Sequence, residues 1–420
     1  MNEAKNKAIA DTMKATRLRR AGQECKVYFC KVDKSHLSRK SAKFLRMAFI
    51  EAKWFVNDII ASGDIFHADY RKKNPTVLKD GKTPEKRQIV YLPSQVRQAL
   101  AEKIKQDIVN LSKLRKSGCR VGRLRFKREV RCLPLKQEGV TFKVVDAHHV
   151  RLQGNKGLIR LEGLGQIPED AEIAKADLIH RAGNYYVNFV CFLPKEQRVK
   201  TGKAVGLDFG IETSVATSDG EKFDISIPEA NRLRRLQRGR FSRKTKGSKN
   251  WVKATDRIAV EYDKVCNRKK DLRNKLVGKL TREYDVIVCQ DEGIKEWHEG
   301  RYGRQVQRSC MGGIISDLKR KSETFVQVSK WFPSTQLCHV CGSRQAVGLN
   351  ERTFVCRTCG SKEDRDVHSA INNLNEGLNN LRAMGNPEHV KTPAEGLAST
   401  DVALWDVSKL VSVKQEAIAL

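Results

Sequence analysis

Several things are scarce in this chain of 420 residues. Acidic side chains fall well short of basic ones, 49 Asp and Glu against 81 Lys and Arg, for a formal net charge of +32. A chain so basic repels itself unless a polyanion neutralises it, so nucleic acid is the expected partner, ahead of a merely solubilising surface. No run approaches the roughly 18 consecutive apolar residues of a membrane span. The opening MNEAKNKAIADTMKATRLRR has no apolar core for a signal peptide. No membrane partner is expected, and the cytoplasm is the expected location, a compartment where structural disulfides are rare. Prolines number 10 and aromatics make up 7%, yet 40% of residues are hydrophobic, enough for two or three domains with their own cores.

The 12 cysteines divide in two. Cys338-His-Val-Cys341 and Cys356-Arg-Thr-Cys359 are paired CxxC knuckles, each followed by a glycine, Gly342 and Gly360, that permits a backbone reversal. Two knuckles complete a closed tetrahedral four-thiolate site with no open position, which is the pattern of one structural Zn²⁺. A redox reading needs a single reactive CxxC beside a βαβ pattern. His339, inside the first knuckle, reads as an exposed spacer rather than a fifth ligand. The other eight cysteines, among them Cys25 and Cys30 flanking an apolar strand, read as small buried hydrophobes.

Periodicity sets the layout. Residues 1–24 read as a loose basic leader, and KVYFCKVD (26–33) has strand composition. From Ser35 to Lys116 apolar residues recur at three and four, as in FLRMAFIEAKWFVNDII and SQVRQALAEKIKQDIVNLSKL, which predicts helices around a basic, irregular stretch. From Arg120 to Pro194 the period becomes two: GRLRFKRE, VTFKVVD, HVRLQ, LIRLEGL and YYVNFVCFLP read as short strands of a small barrel or sandwich. KVYFCKVD could join it, making the helical segment an insertion. From Thr201 the pattern is strand, reversal at Asp219-Gly220 and strand. A long basic helical segment broken near Gly247 follows, then the strand DVIVCQDE, a Gly-rich linker, the helix MGGIISDLKRK, the strand TFVQVSKW, the cysteine cluster and the helix DVHSAINNLNEGLNNL.

Three places hold carboxylates that position singles out. Asp208 follows the buried-strand residues Val205 and Leu207, where a carboxylate is costly unless it is paired or binds metal; capping the turn at Gly210 is the competing reading. Asp208-Phe209-Gly210 also spells the kinase DFG, but no Gly-rich loop or HRD-type segment precedes it. Glu292 lies at the carboxyl end of a strand, where α/β sheets gather their sites. Alternation puts Gln290 and Glu292 on one face and its competitor Asp291 on the other. Asp364 and Asp366 precede an apolar-periodic helix, so one is expected to cap its N-terminus while the other faces a metal. Three carboxylates from separate elements suit two divalent cations and phosphodiester hydrolysis.

GLDFG, an acid after the next strand, the paired CxxC ribbon and DRDVHSAIN closely resemble the RuvC-like domain of TnpB. TnpB is the RNA-guided nuclease of some bacterial insertion sequences, and the compact type V CRISPR effectors are similar to it. The resemblance is specific from Lys203 to Asn373, and GRYGRQVQRSCMGGI looks like a subset of TnpB sequences. Upstream it is one of layout. It implies a multidomain α+β chain: an N-terminal β-barrel (wedge) with a helical insertion, then an RNase H-like (RuvC) α/β domain with an inserted four-cysteine zinc ribbon. The expected divisions are 1–34 leader and first wedge strand, 35–118 helical recognition domain, 119–200 wedge, 201–333 RuvC-like, 334–362 ribbon, 363–383 last RuvC segment and 384–420 tail. Asp208, Glu292 and Asp366 would be the catalytic residues holding two Mg²⁺ (or Mn²⁺), with Asp291 and Asp364 as second choices. Many relatives carry the second acid where Gln290 stands, and tend to have Asn in place of His368. Guide RNA and target double-stranded DNA are the implied partners, in a bacterial cytoplasm or nucleoid. Arg234, Arg235, Arg238, Arg240, Arg243 and Lys244 are candidate phosphate contacts, and the stretch from Arg71 to Arg87 is another. A guide-free RuvC-like nuclease, a transposase and a catalytically decayed RNA-guided DNA-binding protein are the alternatives.

Overall fold

The structure, a computed structural model, describes residues 2–79, 83–122, 124–195, 199–210, 213–225, 227–300, 303–348 and 350–383; the C-terminal tail expected at 384–420 lies outside the described residues. Two compact units, 1–197 and 198–420, divide the chain.

The first unit opens on a helix, α1 (Asn2–Ala21), where a loose leader was expected. Its Ala, Lys, Arg and Met residues are good helix formers, and no glycine or proline interrupts them before Gly22. Arg19 and Arg20 both pair with Glu172, at 3.0 and 2.7 Å. Then follow β1 (Gln23–Val32), α2 (Arg39–Ser62), β2 (Thr76–Lys79), β3 (Thr83–Lys86) and α3 (Ser94–Lys116). The strands β4 (Cys132–Leu135), β5 (Phe142–Val144), β6 (His149–Leu152), β7 (Ile159–Glu162), β8 (Glu172–Arg181) and β9 (Asn184–Pro194) complete the unit. Seven strands form a nearly closed barrel sheet in the order β4-β8-β9-β1-β7-β6-β5. KVYFCKVD thus supplies a strand to the barrel, and α2 and α3 are inserted after it.

The apolar stripe of α2, including Phe44, Leu45, Ala48, Phe55 and Ile59, packs into the same core as Phe142, Val187 and Phe189 of the sheet. Three expectations fail here for identifiable reasons. GRLRFKRE forms no strand where it is described. Phe126 is exposed, and the Asn57 amide exchanges hydrogen bonds with the Lys127 backbone instead of a neighbouring strand. EIAKADLIHR becomes β8 although its charges blur the alternation. Cys30 is buried but Cys25 is exposed, and of the eight scattered cysteines only Cys30, Cys191 and Cys289 are buried.

The second unit begins with β10 (Ala204–Phe209), β11 (Val215–Thr217) and β12 (Lys222–Phe223), the last two joined through Gly220 at φ +87°. The basic segment makes α4 (Glu229–Arg243) and α5 (Lys249–Glu283), broken at Gly247, whose φ of +89° no helix accommodates. After β13 (Val286–Gln290), the expected linker contains two short helices, α6 (Ile294–Glu299) and α7 (Gly303–Ser309), ahead of α8 (Met311–Lys321) and β14 (Thr324–Val328). The ribbon strands β15 (Thr353–Val355) and β16 (Lys362–Asp364) lead into α9 (Arg365–Ala383).

The main sheet is mixed, ordered β12-β11-β10-β13-β14, with β10, β13 and β14 parallel. Alternation assigns its faces. Val205, Leu207, Phe209, Ile287 and Cys289 pack with residues of α5 and α8, such as Leu280 and Ile314. Val286, Val288 and Val328 pack with Leu374, Leu378 and Leu381 of α9. Asp208 therefore belongs to the α9 face. Two glycines set how close α9 comes: a Cβ at Gly206 would lie 2.0 Å from the Ala370 carbonyl oxygen, and one at Gly377 would lie 2.3 Å from Val288 Cγ1. Gly206→Ala is expected to lower stability by about 3 kcal/mol or more, because backbone has to move. Chemical denaturation reads this directly, and an unchanged midpoint would mean that α9 sits further from the sheet.

Candidate metal centre

The α9 face of the parallel strands gathers the acids. Asp208 sits near the carboxyl end of β10, and Glu292 lies two residues past β13. Asp366 is in the first turn of α9. Burial pushes the Asp208 carboxyl up to about 7; a hydrogen bond from Ser369 opposes the rise, and the charges of Asp366 and Asp364 add to it. Glu292 is pushed up to about 8 by burial, then by the charges of Asp208 and Asp291. Its buried Oε1 has no hydrogen-bond partner. Carboxylates brought together this way repel one another, and a divalent cation relieves both the burial and the repulsion.

The competing acids are otherwise occupied. Asp364 caps α9, its Oδ1 accepting from the backbone N–H groups of Asp366 (3.1 Å) and Val367 (3.3 Å). It also pairs with Lys222 at 2.7 Å. Although burial opposes it, those partners hold the Asp364 carboxyl below the usual range. The capping role foreseen for one of the pair thus falls to Asp364. Asp366 faces Asp208, with Lys222 at 3.7 Å and Arg365 at 3.5 Å. Asp291 is exposed, and its Oδ1 accepts from the Gly293 N–H at 3.4 Å.

Gln290 has a different task. Its Nε2 donates to the carbonyls of Phe332 (2.7 Å) and Ser329 (3.2 Å), and its Oε1 accepts from Ser334 Oγ at 3.0 Å. The amide holds the loop after β14, a job for which a carboxylate lacks the donors. Ser334 Oγ lies 2.9 Å from Ser369 Oγ, which donates to Asp208 Oδ1 at 2.9 Å. Asn372 fastens the same loop through the carbonyls of Ser334 and Leu337, and Asn373 donates to the Leu207 carbonyl. Sequence reasoning missed Ser369, Ser334 and Lys222. The available signal was SAINN, three polar residues among five on an apolar-periodic helix that turns out to be buried nearly all round.

The four cysteines form a separate cluster. Sγ atoms of Cys338 and Cys359 lie 3.7 Å apart, those of Cys341 and Cys356 3.6 Å, and all four lie within 4.8 Å of one another. Tetrahedral thiolates at about 2.3 Å from an ion stand about 3.8 Å apart, so the arrangement fits Zn²⁺. Both knuckles reverse as expected, Gly342 and Gly360 each at φ +74° with N–H groups donating to the Cys338 and Cys356 carbonyls. Hydrogen bonds from Ser343 and the Cys359 N–H pull the Cys356 thiol down to about 5, favouring the ligating thiolate. His339 is not an exposed spacer; its side chain is 20% exposed and meets Glu363 at 2.9 Å.

The basic residues divide. Arg235, Arg240 and Lys244 line a cleft of about 410 Å³ between α4 and α5 together with Lys253 and Arg257, and Arg240 lies 5.3 Å over the Trp251 ring. Arg234, Arg238 and Arg243 are exposed elsewhere on α4. No helix among the described residues is long and apolar enough to cross a membrane.

Fold and site define a protein of two units that each combine helices and a sheet, one carrying half-buried carboxylates at the carboxyl ends of parallel strands beside a four-thiol ribbon. The chain is TnpB-like. Residues 188–292 match the family described as "Probable transposase" (OrfB_IS605), and residues 314–373 match the Cas12f1-like TNB domain. A "Putative RNA-guided DNA endonuclease" of Streptomyces pristinaespiralis is 34% identical over 222 residues, covering 50% of this chain and 55% of that protein. The Escherichia coli K12 protein of the same description, InsQ, is 26% identical over 223 residues, covering 46% and 54%. The chain thus spans about half the length of the curated relatives it matches. Among solved structures, a Cas12f1–sgRNA–target DNA complex aligns over 80% of each chain with a TM-score of 0.42 and 13% identity.

Proposed function

We propose that the second unit is a RuvC-like nuclease domain in which Asp208, Glu292 and Asp366 hold two Mg²⁺ ions, with Mn²⁺ as a substitute. The observation that carries this reading is the electrostatic contact that runs from Asp366 to Asp208 to Glu292, three acids on separate elements, although their carboxylate oxygens do not all lie within 4.8 Å of one another. The charge of Asp208 raises the Glu292 carboxyl, that of Asp366 raises Asp208, and a buried Glu292 oxygen has no partner. Bound there, the cations supply an activated water and charge to balance the leaving oxygen of a phosphodiester. The chain's own part is orientation: Ser369 fixes the Asp208 carboxylate, Asp364 fixes the start of α9, and Lys222 adds positive charge beside Asp366. The four cysteines hold one structural Zn²⁺.

For the whole protein, the proposal is an RNA-guided DNA endonuclease. It cuts guide-matched double-stranded DNA beside a short flanking motif at this single site, in a bacterial cytoplasm. The name of the Streptomyces relative and the +32 charge support guide RNA and target DNA as its partners. The α4–α5 cleft is suited to phosphates. A second reading, a transposase cutting its own element ends, is favoured by the description of the family matched at 188–292. Sequencing the RNA that stays bound through purification separates the two: one dominant RNA with a fixed scaffold and a variable end is expected. Bulk cellular RNA without enrichment would sink the guided reading.

A further inference from the structure

A second group of metal-ligating side chains lies where the ribbon joins α9. His339 comes from the first knuckle, Glu363 from β16 and His368 from α9. His339 Nε2 is 2.9 Å and His368 Nδ1 3.7 Å from the same oxygen, Glu363 Oε2, and all three donor atoms lie within 4.8 Å of one another. Imidazole and carboxylate ligands about 2.0–2.1 Å from a tetrahedral ion stand roughly 3.4 Å apart, a spacing that the two measured separations bracket.

The other nitrogen of His368 fixes its tautomer. Nε2 lies 2.8 Å from the Leu337 carbonyl oxygen, which can only accept, so Nε2 carries the hydrogen and Nδ1 presents a lone pair. That lone pair is sealed in: His368 is 0% exposed, and Nδ1 has no hydrogen-bond partner. What faces it is Glu363, another acceptor, beyond hydrogen-bond reach at 3.7 Å. A buried nitrogen aimed at a carboxylate calls for positive charge between them. The ring is also rigidly held, stacked on Phe354 with centroids 3.7 Å apart at 14°. Its Nε2–H bond to a backbone carbonyl is the outer contact that orients ligating histidines.

We propose that His339, Glu363 and His368 form a second divalent-cation site, separate from the four thiols, taking Zn²⁺ through two imidazoles and one carboxylate. Three protein ligands leave a fourth position open, and the partly exposed His339 and Glu363 give an ion access to it. The ion would tie the first knuckle and β16 to the first turn of α9, two residues beyond Asp366. It would lock the ribbon to the helix that carries the third acid.

The test is metal content, which stands whether or not the chain cuts DNA. Full-length protein, purified without chelator and dialysed against metal-free buffer, is expected to hold two zinc ions per chain by elemental analysis. His368→Asn and Glu363→Gln should each hold one. After replacement by Co²⁺, the thiolate charge-transfer absorption of the four-cysteine site should persist in both variants while the weaker nitrogen/oxygen-site bands vanish. His339→Asn, at a partly exposed position, repeats the measurement should the buried substitution fail to fold. A wild-type chain that retains one zinc and takes up no second on titration overturns the proposal. So do variants that hold two as tightly as wild type.

Discussion

Asp208→Asn is expected to reduce Mg²⁺-dependent cleavage of matched DNA by at least about a thousandfold, since the site's acids act as a unit. The same substitution should make the metal-free protein more stable at pH 8. The sign follows from the raised carboxyls. Asp208, lifted to about 7, and Glu292, lifted to about 8, bind protons more tightly folded than unfolded. Their contribution is therefore full below about pH 4 and is lost as pH rises through 7 and 8. Asn at position 208 removes one of those losses and relieves Glu292 of its neighbour's charge. A thermal midpoint at pH 8 that stays at or falls below the wild-type value would contradict this account. The protons also compete with metal, so Mg²⁺ affinity should climb roughly tenfold or more between pH 6 and pH 8.

Along the second strand, Glu292→Gln should match the Asp208 loss, while Asp291→Ala stays within a few-fold of wild type. Gln290→Ala should act differently. It removes the hydrogen bonds that hold the loop at 329–334 to β13, so a stability loss of about 1–3 kcal/mol is expected with the metal affinity of the acids largely kept. If Asp291→Ala abolishes cleavage and Glu292→Gln spares it, the assignment on this strand reverses.

Cys356→Ser is expected to release one zinc per chain and to open the ribbon to proteolysis between about residues 335 and 362. The ribbon's buried cluster is small, Cys338, Phe354 and Cys356 with Val347 packed against it, so a bound ion would supply most of what holds it. Its effect reaches beyond the ribbon, because Leu337 accepts hydrogen bonds from His368 and Asn372 of α9. Cleavage should fall along with zinc content. Unchanged zinc would refute the four-thiolate site; unchanged cleavage with zinc lost would mean that α9 holds Asp366 in place without the ribbon.

Features written in short spacings were legible from the residues alone. Paired CxxC knuckles with trailing glycines specify their own geometry, because every ligand lies within a few residues of a turn. The periods of two and of three and four marked the barrel strands and the inserted helices. The break at Gly247 and the turn at Asp219-Gly220 were legible for the same reason, since each rests on one residue's backbone preference. Strand alternation put Gln290 on the face of Val286 and Val288, and that is the face α9 covers.

The remaining assignments depended on how distant segments pack. Spacing alone does not separate Asp364 from Asp366, which only the resemblance ranked, and it took the position of Lys222 and the first turn of α9 to make Asp364 the cap. Gln290 looked like a lost ligand until the loop at 329–334 turned out to need its amide. Ser369 meets Asp208 across 161 residues of chain, and His368 meets Glu363 and His339 only because ribbon and helix pack together. GRLRFKRE alternates like a strand, yet among its described residues the Lys127 backbone bonds to the Asn57 amide instead. Hydrogen bonds, repulsion and burial of this kind depend on which distant residues arrive, and no local pattern encodes that.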